Sequence, residues 1–262
     1  RMAQTVLCPG YIAKGEESVT ANDMTAMTGY EPIKFVSTAA HSGASKGTSD
    51  WPLFRTAEVY LNYAEAKAEL GTLTKDDLLI SIDRIRDRAG MKGLDMAAAN
   101  ANPDPFLLAC YPNVTKSENT GVILEIRRER TIELVMEGLR MWDMFRWKEG
   151  AQLVNETNPY YGIYFSGPGL YDMDGDGKND LELYVDKQTS SPADGLTVLR
   201  IGSDIILSDM AENRGYVVAW STLKYTWNEE RDYLWPIPAD QRVLTGGLLT
   251  QNPGWTDSTD FD

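Results

Sequence analysis

The clearest hydrophobic pattern in the chain has a helical period and predicts two consecutive helices. Apolar residues recur at helical spacing over 53–68, and this first helix is expected to end near Gly71. A capping box of the Thr-x-x-Asp type at 74–77 opens the second helix, whose apolar positions continue over 78–89 and stop at Gly90. The short connection predicts antiparallel packing, and alanines at 57, 64 and 68 would let the partner helix approach closely, which is typical of tetratricopeptide-like helical repeats. One such pair alone cannot cover its apolar faces.

A third helical pattern covers residues 116–148, which contain no proline and are predicted to form one long helix. Arg130 and Glu137 fall on its apolar stripe. Because buried charges are unfavourable without partners, both residues are predicted to form ion pairs within helical reach. Gly138 weakens a helix, so it is interpreted as a position where another backbone comes close.

The rest of the chain lacks helical periodicity and is rich in turn-forming residues. Residues 1–50 are predicted to be loop-rich and residues 51–150 to hold the helices. Residues 151–231 are predicted to form a variable region of loops and short strands, and residues 232–262 a closing segment of turns. The predicted fold is therefore mainly α, with tetratricopeptide-like repeats beside an irregular loop and short-strand region.

Net charge, apolar runs and cysteine spacing limit the kinds of partner and site that the chain is expected to have. Lys and Arg total 25 against 39 Asp and Glu, a formal net charge of −14, so a polyanion such as nucleic acid is disfavoured. No apolar run approaches the ~20 residues that a membrane-spanning helix needs. Cys8 and Cys110 lack the spacing of a metal site, and either a disulfide or two buried thiols fit the sequence, with buried thiols favoured.

The sequence carries no clear catalytic signature. His41 is the only histidine and lies in a loop rich in Ser and Gly. Neither a Gly-x-Ser-x-Gly elbow nor a phosphate-binding loop occurs. The acids of the predicted 116–148 helix have arginines within helical reach, and such partners keep a carboxylate ionised instead of raising its pKa. The chain is therefore predicted not to be an enzyme.

An aspartate-rich loop is the strongest sign of a bound metal. Oxygen donors alternate over 172–180 with glycines where the loop must turn, and calcium prefers six to eight hard oxygen ligands. A structural Ca²⁺ is predicted to bind four aspartate carboxylates and one lysine backbone carbonyl. These ligands come from Asp172, Asp174, Asp176, Lys178 and Asp180. The match to an EF-hand is incomplete, because position twelve is Leu183, with Glu182 beside it. The alternative is a solvated acidic turn without metal.

Aromatic residues crowd the sequence on both sides of this loop. Sugars present apolar C–H faces ringed by hydroxyl groups, so glycan sites combine flat aromatic side chains with polar ones. The candidate glycan-binding residues are Tyr160, Tyr161, Tyr164, Trp220, Trp227 and Asn158. The alternative for any one of these rings is that it fills a local core.

Four segments, in this order, give the chain a family resemblance. They are FRTAEVYLNYAEA at 54–66, RRERTIELVMEGLRMWD at 127–143, LWPIP at 234–238 and LTQNPGW at 249–255. Together they resemble the C-terminal half of proteins of the SusD/RagB family. The resemblance is weakest over 150–231, where ligand-specific residues are expected.

The resemblance implies a non-catalytic glycan-binding protein at the cell surface. It would capture an oligosaccharide or polysaccharide and deliver it to a SusC-like TonB-dependent transporter in a Bacteroidetes-type outer membrane. The resemblance also implies an N-terminal half and a lipid anchor on the extracellular face, neither of which lies in these 262 residues. Two alternatives stay open: a glycoside hydrolase that uses paired carboxylates, and a scaffold that binds peptide or protein.

Overall fold

The protein, seen in a computed structural model, divides into two units. We call them the helical unit, Pro52–Asn155 with Tyr225–Asp262, and the strand unit, Arg1–Trp51 with Glu156–Lys224. The structure describes residues 1–43, 45–50, 52–153, 160–220, 222 and 226–256. In this described part, no helix has the length and apolar character needed to cross a membrane.

Within its described residues, the helical unit contains eight α-helices. A 3-10 turn at Gly150–Leu153 follows the seventh of them. They are α1 (Thr56–Glu69), α2 (Lys75–Ile80), α3 (Ile82–Arg88), α4 (Met96–Ala101), α5 (Pro105–Cys110), α6 (Thr120–Glu133), α7 (Arg140–Arg146) and α8 (Ala239–Leu244). Helix α1 packs mainly against α6. The side chains with almost no exposed surface in this core include Leu61, Leu78, Ile82, Ile123, Ile126 and Met144. Burial of each contributes roughly 1.5–3 kcal/mol to folding.

The end of the first predicted helix is confirmed, and its start lies at Thr56 instead of at residue 53. Helix α1 is followed by Gly71 in the left-handed conformation, with φ of 69°. The capping box is also confirmed, because the Thr74 hydroxyl accepts the Asp77 N–H and the Asp77 carboxylate accepts the Thr74 N–H. The second predicted helix is divided into α2 and α3 at Ser81, whose φ of −126° and ψ of −101° are not helical.

The prediction of one long helix over 116–148 is wrong. Helices α6 and α7 are separate, and between them Met136 and Gly138 have φ of 65° and 75°. The interpretation of Gly138 as a point of close approach is also wrong, since an added Cβ there would meet nothing within 4 Å. Glycine serves here for its backbone freedom. The close approach lies at Gly121, where a Cβ would overlap the Ala99 carbonyl.

Arg130 and Glu137 are both ion-paired, as predicted, but the partners described here are not the helical neighbours that the spacing suggested, and the pairs connect different helices. Arg130 lies 2.7 Å from Asp143 of α7, and both side chains are buried. Arg55, which precedes α1, lies 3.0 Å from Glu133 and 2.6 Å from Glu137. The charges therefore form a network that holds α1, α6 and α7 together.

The strand unit contains two three-stranded sheets. The strands are β1 (Tyr161–Phe165), β2 (Gly169–Tyr171), β3 (Leu181–Tyr184), β4 (Thr197–Arg200), β5 (Leu207–Asp209) and β6 (Arg214–Val218). The first sheet has the order β1-β6-β5 and is antiparallel. In the second, β2-β3-β4, the β2–β3 pair is antiparallel and the β3–β4 pair is parallel. A helical fold with a region of short strands thus agrees with the predicted fold class; the repeat type stays a prediction.

The histidine and the cysteines show no sign of a reactive site. His41 is exposed in a 3-10 turn, Ala39–His41, and its Nδ1 lies 3.0 Å from the Thr38 hydroxyl. Cys8 and Cys110 are both free, half-buried thiols, and burial raises the pKa of Cys110. Of the two arrangements that the sequence allowed, the structure has the thiols.

Candidate functional site

Three exposed tyrosines lie together on the β1-β6-β5 sheet. Tyr161 and Tyr164 belong to β1, and Tyr216 belongs to the neighbouring β6. The rings of Tyr161 and Tyr216 are stacked, with centroids 5.4 Å apart and planes inclined by 29°. The Tyr164 ring meets Tyr216 edge to face at 5.2 Å. We call Tyr161, Tyr164 and Tyr216 the tyrosine face.

A local irregularity of β1 explains why two residues three positions apart share one face. Side chains alternate along a regular strand, so positions 161 and 164 would point to opposite sides. The pairing register with β6 shifts between them, as in a β-bulge. At the bulge, the Ile163 N–H donates to the Thr28 carbonyl at 2.9 Å, and a Cβ at Gly162 would overlap that carbonyl. Glycine at 162 thus permits the contact that fixes the bulge.

A second aromatic pair flanks the same two strands. Tyr160 precedes β1 and Trp220 follows β6, and their rings meet edge to face with centroids 6.3 Å apart. Both side chains are exposed. The structure therefore brings four of the candidate aromatic residues to one region of the strand unit.

Trp227 has a different environment. It belongs to the helical unit, where its ring lies 5.7 Å from that of Phe145 and 5.0 Å from that of Tyr233. A Cβ at Gly150 would overlap the indole, so the ring fills a closely packed space. Asn158, the remaining candidate, lies outside the described residues.

Tyr216 was missing from the candidates of the sequence. The signal that could have found it is the alternation along β6, where Gly215 and Val217 are buried and Tyr216 between them is exposed. That alternation identifies an exposed ring, and only the pairing of β6 with β1 places it against Tyr161 and Tyr164.

The acidic loop gathers three of its predicted ligands. Asp172, Asp174 and Asp176 each offer a carboxylate oxygen, and these three atoms lie within 4.8 Å of one another. Asp174 is buried, whereas the other two are exposed. The Asp172 carboxylate accepts the N–H groups of Gly175 at 2.7 Å and Gly177 at 2.9 Å, which folds the loop back on itself.

The other two predicted ligands have different contacts. The Asp180 carboxylate accepts the N–H of Met173 at 2.8 Å and closes the base of the loop. The Lys178 ammonium lies 3.0 Å from Asp176, and its side-chain and backbone hydrogen bonds hold the pKa of that carboxyl below its usual range. Among the described residues the possible metal cluster consists of three aspartates.

Glu182, beside the position that an EF-hand gives to glutamate, faces another segment. Its buried carboxylate accepts the Thr189 N–H at 2.6 Å, the Thr189 hydroxyl at 2.8 Å and the Ser190 N–H at 2.6 Å. Burial favours the neutral acid, yet these hydrogen bonds outweigh it and lower the pKa of Glu182 to about 2. This glutamate therefore anchors the 189–190 turn to β3.

Glu182 is expected to make folding depend on pH in the acid range. Its pKa falls from an ordinary 4.5 to about 2 on folding, so it stabilises the folded state above about pH 4.5. That stabilisation is lost as the pH falls from about 4.5 through about 2. Urea unfolding of the wild type and Glu182→Gln should show the full difference in unfolding free energy at neutral pH and a shrinking difference below pH 4.5. A difference that stays constant over this range would contradict the assignment.

The chain is similar to a known protein family and to one solved structure. The model of the SusD family matches residues 9–255. In the crystal structure of a SusD-like protein from Bacteroides fragilis NCTC 9343, the fold is similar at a TM-score of 0.55 and 22% sequence identity. The similarity covers 96% of this chain and 38% of that one, so the chain spans well under half the length of its structural relative. None of the curated proteins compared with the chain matches it.

Proposed function

The chain belongs to the SusD family, and from this premise we propose that it is a non-catalytic, carbohydrate-binding protein of the bacterial cell surface. The observation that carries the proposal is the tyrosine face, an exposed group of three rings on a two-strand platform. Tyrosine combines a flat apolar surface with a polar hydroxyl group, and this combination suits the C–H faces and hydroxyls of a sugar. Tyr160 and Trp220 extend the aromatic surface.

Two buried acids of the helical unit, Glu65 and Asp143, are paired with arginines, which suits a structural role better than catalysis, whereas burial raises the pKa of Glu125 and of Glu149. A glycosidase needs a carboxylic acid whose pKa is raised, so that it can protonate the leaving group. Glu65 is buried, but hydrogen bonds from Arg146 and Trp147 outweigh the effect of burial and lower its pKa. Asp143 forms an ion pair with Arg130 at 2.7 Å. These carboxylates are suited to structural pairing.

The proposed role in the cell is capture followed by delivery to a SusC-like TonB-dependent transporter, on the extracellular face of the outer membrane. A lipid anchor and further helices of the same polypeptide, N-terminal to this chain, belong to the same proposal. Two observations support the further helices: the short span of the chain within its structural relative, and the apolar side chains left exposed on and beside α1 and α2. They include Leu53, Phe54, Val59, Leu70 and Ile80.

A glycan array read with the purified protein tests the proposed function. We expect binding to a subset of neutral oligosaccharides or polysaccharides, confirmed by isothermal titration, with no release of reducing ends after prolonged incubation. Release of reducing ends would identify a glycoside hydrolase instead. Absence of glycan binding together with binding to a peptide array would favour a peptide or protein scaffold.

We further propose that Asp172, Asp174 and Asp176 bind Ca²⁺ and that the ion has a structural role. Ligands around one calcium ion at about 2.3–2.6 Å lie no more than ~5 Å apart, and the three carboxylate oxygens satisfy this limit. Three carboxylates also repel one another without a cation, so the ion would stabilise the loop.

Calcium is expected to raise the melting temperature of the protein by about 5 °C at saturation, because it binds the folded loop and not the unfolded chain. Differential scanning calorimetry of protein treated with EGTA, with and without added CaCl₂, measures the shift. Asp174→Asn should abolish it, whereas Asp186→Asn, a matched change at an exposed aspartate outside the loop, should preserve it. An equal melting temperature with and without calcium in the wild type would count against the site.

A further inference from the structure

The strand unit contains an apolar cavity beside Trp220. Its volume is about 420 Å³, within the ~300–1,000 Å³ that small-molecule sites occupy. Of the thirteen lining residues that the structure describes, ten are apolar. Among the lining residues, Ile205 and Val217 are buried, whereas Met27 and Trp220 are exposed.

The walls of the cavity are held in defined conformations. Asn22 is buried, and its side chain accepts the Met24 N–H at 3.0 Å and donates to the Gly29 carbonyl at 2.5 Å. These bonds fix the 24–27 segment that lines one side. Met24 and Trp220 have φ of 61° and 52°, values uncommon for residues with a Cβ, and such backbone strain is concentrated at functional sites. The cavity is therefore preformed.

The chemistry of the lining selects a neutral, apolar ligand group. Asp204 is the one charged residue that lines the cavity within the described part of the chain. Its carboxylate accepts the Arg200 N–H at 2.8 Å and the Ser203 hydroxyl at 3.2 Å. An anionic group would meet this negative charge, and none of the described lining residues is a cation that could balance it. The thioethers of Met24 and Met27 adapt to irregular shapes and make favourable contacts with aromatic rings.

The cavity and the tyrosine face share strand β6, which contributes Val217 and Val218 to the cavity and Tyr216 to the tyrosine face. Val218 of β6 lines the cavity and is the direct partner of Tyr161 on β1. Trp220, two residues further on, lines the cavity and contacts Tyr160. A ligand lying on the tyrosine face could therefore extend a substituent past Trp220 into the cavity.

We propose that the cavity binds an aromatic substituent of the glycan, such as an aryl group or an aromatic acyl ester, while the sugar rings stack on the tyrosine face. The inference rests on the proposed function and narrows it to neutral glycans that carry aromatic groups. An unsubstituted sugar would leave the cavity to water, whereas an aromatic ring would bury apolar surface on both partners.

Matched aryl and methyl glycosides test the inference. The probes are the p-nitrophenyl and methyl glycosides of cellotriose, mannotriose, xylotriose and maltotriose, measured by isothermal titration. Burial of an aromatic ring is expected to make the aryl form of the bound sugar about tenfold tighter. Ala26→Phe, which fills the cavity from its lining, should remove this advantage and leave the Kd of the methyl form unchanged. Ser18→Phe adds the same ring at an exposed position outside the cavity and should retain the advantage.

The outcomes distinguish a failure of the inference about the cavity from a failure of the proposed function. Equal affinity for aryl and methyl forms overturns the inference and leaves glycan binding intact. Failure of all the glycosides and of the glycan array overturns both. Should Ala26→Phe not fold, Met27→Ala replaces it, because its exposed side chain can be shortened safely, and the aryl advantage should fall about threefold. An advantage that survives unchanged in whichever of the two variants is used shows that the aryl group binds elsewhere, which also overturns the inference.

Discussion

Replacing Asp143 with asparagine is expected to lower the free energy of unfolding by about 3–5 kcal/mol, as for other buried charges that lose their partner. The Asp143 carboxylate accepts the Arg130 Nε–H on both oxygens at 2.7 Å and an Arg146 N–H at 3.0 Å. Arg130 and Asp143 are each at least 95% buried. The variant keeps the shape of the side chain and removes its charge, so the Arg130 guanidinium stays buried without that anion. Chemical unfolding in urea measures the loss.

Asp209→Asn is the matched control for this prediction. Asp209 makes an exposed pair with Arg214 at 3.4 Å, and exposed pairs contribute roughly 0–1 kcal/mol. The same chemical change should therefore have a small effect there. Replacing Arg130 and Asp143 together by Met and Leu should recover much of the stability, since neither charge of this pair is then left buried without its partner. Equal losses for Asp143→Asn and Asp209→Asn would show that burial does not govern the Asp143 pair.

The features that the sequence predicted correctly are local ones. The Thr74–Asp77 capping box and the end of α1 at Gly71 depend on residues within a few positions of one another. Asp172, Asp174 and Asp176 also come together through turns inside a single short segment, while the calcium ion itself stays a prediction. Spacing along the chain is enough information for structures of this kind.

The features that the sequence did not reveal depend on distant contacts or on an unusual backbone. Met136 adopts a left-handed conformation that methionine rarely takes, so nothing in its identity predicted the break between α6 and α7. The sequence does show Gly138, but a glycine in a helical pattern can indicate either close packing or the end of a helix. The partners of Arg55 lie about eighty residues away along the chain, as their hydrogen bonds show. Helical spacing alone could suggest only neighbours.

The aromatic site shows the same division. Tyr161 and Tyr164 were recognisable as candidates from their position in a variable region. Their shared face requires the bulge at Gly162, which depends on the carbonyl of Thr28 more than 130 residues earlier in sequence. Trp227 belonged to the same sequence cluster, yet its packing on Phe145 gives it a place in the helical unit. The sequence identified the aromatic residues, but only the tertiary contacts distinguish those on the tyrosine face from the one packed in the helical unit.

Tyr216→Ala is expected to weaken glycan binding by about thirtyfold, or roughly 2 kcal/mol, the size of effect seen for central aromatic residues in binding sites. Tyr216 is the ring that contacts both Tyr161 and Tyr164, at centroid distances of 5.4 and 5.2 Å. Its removal would take away its own stacking surface and leave the other two rings without their common neighbour. Isothermal titration against the glycan identified by the array measures the change in Kd.

Two further variants separate the loss of an aromatic surface from other causes. Tyr216→Phe keeps the ring and removes the hydroxyl, so its affinity should stay within a few-fold of the wild type if stacking is the main contribution. Tyr30→Ala removes an exposed tyrosine of the same unit that is not on the tyrosine face, and it should bind normally. Because Tyr216 is exposed, its replacement should change the melting temperature little. Wild-type affinity in folded Tyr216→Ala would exclude the tyrosine face as the glycan site.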